Sequence, residues 1–168
     1  MILCRCVREF QLKSLPIIMK IAIASDHAGF HYKTIFAKEL RAAGLDLLDL
    51  GTNVETPSDY PDHAADMAHA IRQGRVARGI LICGSGVGVS VAANKFKGIR
   101  AGVCHDTYSA HQSVEHDDVN VLCIGERVVG IELAREIIQS FLNARFSGEA
   151  RHVRRLEKIL RIEEESMK

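Results

Sequence analysis

Residues 79–94 read GILICGSGVGVSVAAN, an apolar run that leads through a glycine-rich turn into a segment of alanines and valines. Short β-branched runs that alternate with amphipathic segments are typical of parallel strands joined by crossover helices. Glycines at 84, 86 and 88 allow a tight turn, whose backbone N–H groups can hold a phosphate or an oxyanion near a helix start. The stretch therefore predicts a buried strand, an anion-binding turn and a helix, in that order.

This glycine turn lacks the marks of the common nucleotide-binding loops. No Gly-Lys-Ser or Gly-Lys-Thr follows it, so it is not a Walker loop. The glycine spacing also does not continue into a dinucleotide fingerprint with an acidic ribose ligand. Taken alone, the turn indicates anion binding and leaves the ligand open.

Four further strands can be read outward from this stretch. The predicted strands span residues 20–25, 45–50, 79–83, 100–105 and 121–125, and the main helices span 31–43, 64–73, 108–115, 131–144 and 149–165. The chain is therefore predicted to be an α/β protein, a three-layer Rossmann-like sandwich with a five-stranded parallel sheet of order 2-1-3-4-5 and a C-terminal helix. Residues 19–168 form its single domain.

The expected sheet places its ligand site beyond the carboxyl ends of the strands, at the point where the strand order reverses. For the expected order, that point lies between strands one and three. Asp26 and His27 follow strand one, and residues 83–86 (Cys-Gly-Ser-Gly) follow strand three. The two segments richest in reactive side chains are therefore expected to converge on one crevice.

Composition limits the classes of partner. The chain of 168 residues suits one domain, and 22 Lys plus Arg against 21 Asp plus Glu give a net charge of +1. This balance supplies no general field for nucleic acid or a membrane surface, so neither partner is expected. No apolar run approaches the roughly 18 residues of a transmembrane helix. The five cysteines lack the spacing of a zinc ribbon or a disulfide framework, which favours a reducing, cytoplasmic location.

Residues 1–18 stand apart from the rest of the chain. They are basic and contain a single acidic residue, Glu9. Serine is too scarce for a typical organelle transit peptide, and no uninterrupted apolar stretch resembles that of a secretory signal. We expect a disordered extension or a non-native start, with the domain beginning at Met19.

Cys83 permits two interpretations. A buried free cysteine is commonly a small core residue. Beside a helix start, however, a thiol ionises more readily and can act as a base or a nucleophile. Cys104 and Cys123 lie inside predicted strands, and we expect both in the core.

Other candidate polar residues have similarly open local interpretations. Asp26 and His27 either cap a helix beside a surface histidine, or bind hydroxyl and phosphate groups and move protons. His116 is either a helix-end histidine or a catalytic one. Arg151 and Arg155, one helical turn apart, can hold a phosphate together or pair with acids on a solvated face.

A metal site is not expected. His27 and His31 are four residues apart and could share a helix face. The remaining histidines lack the spacing of metal ligands, so no ligand set is assigned.

Six segments, in unbroken order along the chain, resemble the ribose-5-phosphate isomerase B and galactose-6-phosphate isomerase family. They are SDHAGF, SDYPD, GILICGSGVGVSVAANKFKGIRA, EHDDVNVL, GERVVG and RHVRR, and the similarity runs from Met19 to Leu160. The resemblance implies a Rossmann-like sandwich that forms a homodimer or homotetramer with active sites shared between subunits. It also implies aldose–ketose interconversion of a sugar phosphate without metal or organic cofactor.

The resemblance further assigns roles to individual residues. Cys83 matches the base that transfers the proton, and His116 matches the residue that opens the sugar ring. Asp26 matches a residue that meets the sugar, and Ser85 stands where threonine is common in the anion-stabilising loop. The positions that match substrate or phosphate ligands are His27, Tyr60, Gly84, Gly86, Gly88, Asn120, Arg127, Arg151 and Arg155. Asp117 stands where asparagine is usual, a change that would alter proton transfer or sugar preference.

The predicted function is interconversion of ribose 5-phosphate and ribulose 5-phosphate through a cis-enediolate, with Cys83 as the base. The nearest alternative is an isomerase of a six-carbon sugar phosphate, allose 6-phosphate or galactose 6-phosphate. A six-carbon sugar needs a longer pocket, and the sequence does not give the length of the pocket. A non-catalytic phosphate- or nucleotide-binding regulator on the same sheet is the alternative of another class. Such a module would not need Cys83, His116 and Asp26 to converge.

Overall fold

The computed structural model describes residues 19–167, and the predicted extension 1–18 lies outside that range. Its strands are β1 (Ile21–Ser25), β2 (Leu47–Asp49), β3 (Arg78–Cys83), β4 (Ala101–Val103) and β5 (Val121–Gly125). Its helices are α1 (Phe30–Ala42), α2 (Tyr60–Arg72), α3 (Val87–Ala93), α4 (Thr107–Asp117), α5 (Ile131–Asn143) and α6 (Ala150–Ser166). Within the described range, none of these helices is long and apolar enough to cross a membrane.

All neighbouring strands are parallel, and their order is β2-β1-β3-β5-β4. The predicted five-stranded parallel sheet is confirmed, but the predicted order 2-1-3-4-5 is wrong at its last two strands. All five residues of β5 are buried, whereas the three residues of β4 are only partly buried. A fully apolar strand suits the sheet interior, and a short strand suits the edge. The chain therefore crosses from β3 to the edge and returns through α4.

Helices cover both faces of the sheet and produce the predicted three-layer sandwich. α1, α4 and α5 pack on one face, where Phe36, Val114 and Phe141 meet the inward side chains of the strands. α2 and α3 pack on the other face through residues such as Met67 and Val89. The strand order still reverses between β1 and β3, so the expected crevice keeps its place.

Element boundaries agree with the predicted ones to within two residues at every strand and at most helix ends. The exception is α2, which begins at Tyr60 rather than at residue 64. Pro61 fits the first turn of a helix, because its missing N–H has no partner to lose there. The earlier start places Tyr60 at the amino end of α2.

α6 contributes no described side chain to either core and packs against α4. His152 is its buried residue, whereas Ile159, Leu160 and Ile162 are exposed. The Gly98 N–H donates to a carboxylate oxygen of Glu163 at 2.8 Å and ties the far end of the helix to the turn before β4. Among residues 19–167, nothing covers this apolar stripe of the helix.

Candidate active site

Cys83 is the last residue of β3, and its sulfur lies at the glycine turn. The residue is 4% exposed, and the Gly86 N–H donates a hydrogen bond to Sγ at 3.1 Å. Gly86 has a φ of 80°, in the left-handed region that glycine adopts without steric strain. Cys83 is thus packed against the core on one side and hydrogen-bonded at its sulfur.

The loops that follow β1, β3 and β5 meet around the glycine turn. A Cβ atom built on Gly84 would lie 3.6 Å from Ala28 Cβ and 3.6 Å from Arg127 Nη1. A Cβ atom built on Gly88 would lie 3.0 Å from the ring of Tyr60. Arg127 and Tyr60 therefore flank the turn. The contact between Ala28 and Gly84 confirms that the segments after strands one and three converge.

The backbone after β5 supports the glycine turn. The Glu126 N–H donates to the Cys83 carbonyl at 2.9 Å, and the Arg127 N–H donates to the carbonyl of residue 84 at 3.1 Å. Gly125 approaches Ser85 so closely that a built Cβ would lie 2.6 Å from the Ser85 carbonyl carbon. A side chain does not fit there, so the position requires glycine.

Asp26 and His27 follow β1 beside the same turn. The Asp26 carboxylate accepts the N–H groups of Ala28 at 3.0 Å and Gly29 at 3.2 Å, and it caps the short 3-10 turn that leads into α1. His27 is exposed, and its Nδ1 lies 3.2 Å from both the backbone N and O atoms of Ser58. The capping interpretation of Asp26 is confirmed, while its contact with a sugar stays a prediction.

Cys83 lies at the carboxyl ends of the strands. His116, Arg151 and Arg155 lie near the amino ends of the strands. A crossover helix runs antiparallel to its strands, so the carboxyl end of α4, which carries His116, stands beside the amino end of β5. The first turns of α6 lie there too, since the His152 ring contacts the His116 ring. β5 alone spans roughly 16 Å. One chain therefore does not bring these three residues to Cys83.

His116 is a partly exposed histidine one residue before the end of α4. Its side chain is 29% exposed, and its Nδ1 atom lies 3.0 Å from Nε2 of Gln112, one turn earlier. Asp117, the next residue, ends the helix and is exposed. The helix-end interpretation of His116 is therefore confirmed in position, and its catalytic role stays a prediction.

Arg151 and Arg155 are exposed on the first turns of α6. Arg151 Nε donates to a carboxylate oxygen of Glu149 at 2.8 Å, and both side chains are more than half exposed. An ion pair in water contributes little to stability, so an anionic ligand can replace Glu149 at Arg151. The two arginines remain candidates for holding a phosphate.

Asn120 has a local structural role. Its Oδ1 atom accepts the Arg100 N–H at 2.9 Å, and its Nδ2 atom donates to the Gly98 carbonyl at 2.8 Å. It directly precedes β5, at the amino edge of the sheet. These bonds use one lone pair and one N–H of the amide, so its second N–H is available and the predicted substrate contact stays a prediction.

Cys104 and Cys123 are core residues, as predicted, with 3% and 0% exposed. Burial raises the pKa of both thiols, more strongly at Cys123. A raised pKa keeps a thiol protonated and unreactive. Among the free thiols of residues 19–167, Cys83 is therefore distinguished by its place at the strand end and by the Gly86 N–H at its sulfur.

Several residues around the glycine turn and around His116 are not indicated by the sequence pattern. Gly125 is the last residue of a buried strand, and a glycine at that place is the usual mark of a close backbone approach. Gln112 and His116 are four apart on one helix, which was the available signal for their hydrogen bond. His152 and Ser58 act through tertiary contacts that no local spacing indicates.

Comparison with known proteins identifies the class of protein. A model of the Ribose/Galactose Isomerase family matches residues 21–159, a range that contains the glycine turn, His116 and both arginines of α6. The α/β fold and its thiol-bearing turn are therefore those of a sugar isomerase. The chain belongs to the ribose/galactose isomerase family, as its sequence resemblance implied.

Curated relatives and a solved structure agree with this assignment. Ribose-5-phosphate isomerase B of Escherichia coli is 48% identical over 145 residues, which cover 86% of this chain and 97% of the relative. D-erythrulose-4-phosphate isomerase 2 of Mycolicibacterium smegmatis is 43% identical over 136 residues, 79% of this chain and 89% of the relative. The structure of ribose-5-phosphate isomerase B from Mycoplasma genitalium with bound ribulose-5-phosphate matches with a TM-score of 0.83 and 41% identity, covering 88% of this chain and 97% of that one.

Proposed function

We propose that the chain interconverts ribose 5-phosphate and ribulose 5-phosphate. The observation that carries the proposal is the Cys83 sulfur at the carboxyl end of β3, hydrogen-bonded by Gly86 beside Arg127 and Tyr60. A thiol base, backbone N–H donors and a cation are the groups that proton transfer in an anionic sugar requires. The 48% identity to ribose-5-phosphate isomerase B of Escherichia coli supports a pentose phosphate as the substrate.

The proton transfer acts on an open-chain sugar. The Cys83 thiolate removes the proton from the carbon beside the carbonyl and returns it to the neighbouring carbon. The intermediate cis-enediolate carries negative charge on oxygen, which N–H groups of residues 84–88 other than those of Gly86 and Val87 stabilise, because these two donate to the sulfur and to Ser85. The Val87 N–H donates to Ser85 Oγ at 3.3 Å, so the Ser85 hydroxyl proton is free to donate to the same oxygen.

We infer that two copies of the chain build each site together. Within one chain, His116 and the two arginines of α6 lie near the amino ends of the strands, whereas Cys83 lies at the carboxyl end of β3. α3 begins at the glycine turn and exposes Val87 and Val91 by 54% and 57%, and these residues share one helix face. Exposed apolar residues beside half of a site favour a covered interface. A homodimer through this face, alone or within a homotetramer, would bring the second chain's His116 to Cys83.

Each remaining group has a separate task in this shared site. His116 of the second chain opens the sugar ring as an acid. Arg127 of the first chain and Arg151 and Arg155 of the second hold the phosphate. Asp26 and His27 bind hydroxyl groups of the sugar at the end of β1. Asn120 of the second chain stays a candidate contact to the sugar, since its amide keeps a second N–H beside the bond to the Gly98 carbonyl.

Gly125→Ala is expected to lower turnover by roughly tenfold or more, since small misplacements of reacting groups cost up to about a hundredfold. The added Cβ would lie 2.6 Å from the Ser85 carbonyl carbon and displace the donor turn from the sulfur. Steady-state kinetics and thermal unfolding measure the effect. Gly130→Ala is the matched control, because nothing lies within 4 Å of a Cβ built there. Equal turnover of the two variants would contradict the requirement for glycine at 125.

The length of the sugar is tested by comparing substrates. The family includes a relative named for erythrulose 4-phosphate, so a four-carbon substrate joins the six-carbon alternatives. We expect ribose 5-phosphate to give a higher kcat/KM than erythrulose 4-phosphate, allose 6-phosphate or galactose 6-phosphate. We also expect turnover to persist in chelator, since residues 19–167 contain no cluster of three potential metal ligands. A higher value for another sugar would contradict the pentose assignment, and nucleotide binding without turnover would favour a non-catalytic regulator.

We infer a cytoplasmic location for the enzyme. Cys83, Cys104 and Cys123 are all unpaired within the described part of the chain. Free thiols are typical of a reducing compartment, whereas secreted domains usually pair them. Its near-neutral net charge also fits a partner that is a small sugar phosphate rather than nucleic acid.

A further inference from the structure

His152 is a buried histidine in the first turn of α6, directly after Arg151. The residue is 1% exposed, and its ring centroid lies 4.1 Å from that of His116, with the ring planes inclined by 34°. Ser147 Oγ lies 2.7 Å from His152 Nδ1. The ring is thus held at its edge by a hydroxyl group and packed by its face against His116.

The surroundings of His152 disfavour the charged form of its ring. Burial lowers the pKa of His152, and the neighbouring His116 and Arg151 lower it further. The Glu149 N–H donates to Ser147 Oγ at 3.3 Å, so the Ser147 hydroxyl proton is available to His152 Nδ1. A neutral imidazole can pack on His116 without like-charge repulsion.

The His116 ring is oriented by a second contact on its own helix. Gln112 Nε2 lies 3.0 Å from His116 Nδ1, and an amide nitrogen only donates, so the neutral His116 ring carries its proton on Nε2. That Nε2 atom lies 3.9 Å from a carboxylate oxygen of Glu115. A flip of the ring would exchange its two nitrogens, and the packed face of His152 opposes this rotation.

We propose that His152 is a positioning residue for His116, holding the ring so that its protonated nitrogen meets the sugar, an inference that rests on the proposed function. His152 lies on α6 between Arg151 and Arg155, so one helix carries both the phosphate ligands and the support of the acid. α6 therefore sets the distance between the phosphate and the ring oxygen that His116 protonates. Such orientation contributes to rate because the reacting atoms must be aligned before the transfer.

The two directions of the reaction separate this role from a structural one. Ribose 5-phosphate is a closed ring in solution. Its opening adds a proton to the ring oxygen, breaks the bond from that oxygen to C1 and removes the proton of the C1 hydroxyl to give an aldehyde. Ribulose 5-phosphate cannot close, because the oxygen that would form its ring carries the phosphate. The open-chain ribose 5-phosphate formed from ribulose 5-phosphate can leave the enzyme and close in water, so the initial rate in this direction does not include the step at His116. The two initial rates therefore follow different routes, and the ratio of their kcat/KM values is not fixed by the equilibrium constant. A misplaced His116 should slow consumption of ribose 5-phosphate and spare that of ribulose 5-phosphate.

The test measures both directions for His152→Ala, His152→Phe and the control Lys158→Ala, an exposed position on the same helix. We expect His152→Ala to lower kcat for ribose 5-phosphate by roughly tenfold, below the hundredfold cost of a 1 Å misplacement. Its kcat for ribulose 5-phosphate and both KM values should change less than about twofold. His152→Phe, which keeps a planar ring against His116, should recover most of the lost turnover, and Lys158→Ala should match wild type.

Nitrogen NMR of His116 supplies a readout other than activity. Wild type should show the tautomer with the proton on Nε2, and His152→Ala should show a mixture. If His152→Ala does not fold, Ser147→Ala removes the anchor of the ring and should give the same directional loss to a smaller degree. Equal losses in both directions, or unchanged kinetics and tautomer, would overturn the proposal. A wild-type protein without isomerase activity would instead refute the proposed function.

Discussion

Cys83→Ala is expected to reduce turnover of ribose 5-phosphate by at least about a hundredfold, the scale of a lost general base. Alanine keeps the packing of a small side chain at the end of β3 but removes the sulfur that receives the Gly86 N–H. Binding of the sugar phosphate should persist, because in the proposed site arginines rather than the thiol hold the phosphate. A coupled assay measures turnover, and titration calorimetry with ribulose 5-phosphate measures binding.

Cys104→Ala is the matched control for this loss. Cys104 is a buried thiol like Cys83, with 3% exposed, but burial raises its pKa and it lies away from the glycine turn. Its removal should leave kcat within about twofold of wild type, since the thiol has no part in the transfer. Undiminished turnover of Cys83→Ala, or equal losses in the two variants, would refute the assignment of the base.

Mixing two inactive variants, Cys83→Ala and His116→Ala, is expected to restore about a quarter of wild-type activity in a two-fold symmetric dimer. In a shared site, a hybrid dimer contains one site with both defects and one site with neither. Random assortment makes half of the dimers hybrid, so one site in four is intact. The physical reason is that, within one chain, Cys83 lies at the carboxyl ends of the strands and His116 lies near their amino ends.

Co-expression with two affinity tags isolates the hybrid dimers, which should have about half of wild-type activity because one of their two sites is intact. The matched control is the pair Cys83→Ala and Arg127→Ala, whose defects both lie at the glycine turn. Each site of that hybrid carries one defect, so no recovery is expected. A hybrid of Cys83→Ala with His116→Ala that stays inactive, or a wild-type protein that is active as a monomer, would contradict the shared site.

Hydrophobic pattern predicted where the strands lie but not how the last two are ordered. β5 begins and ends at the predicted residues, because VLCIG is an unbroken run that is buried throughout. The order of β4 and β5 depends on which of the two strands buries more surface. The sequence of either strand alone does not show this. Consecutive strands are neighbours in only roughly two-thirds of cases. The short, partly buried β4 therefore took the edge that sequential order would have given to β5.

The positions of Cys83 and Asp26 in the fold were predictable from the sequence, whereas the position of His116 relative to them was not. Cys83 and the glycine turn follow from a strand, turn and helix in sequence, and Asp26 follows from the end of a neighbouring strand. His116 lies near the amino ends of the strands because α4 runs antiparallel to them. This position is a consequence of topology rather than of residue type. The packing of His116 on His152 depends on how α6 lies against α4, which no local spacing encodes.

A crystal structure of the wild-type protein with ribulose 5-phosphate is the most direct test of proton transfer by Cys83. We expect C1 of the sugar within roughly 3.5 Å of the sulfur, the separation of reacting atoms before transfer. The carbonyl oxygen should face the N–H groups of residues 84–88, and the phosphate should lie on Arg151 and Arg155 of a second chain. A sugar bound away from Cys83, or a sulfur separated from the sugar by core side chains, would contradict the mechanism.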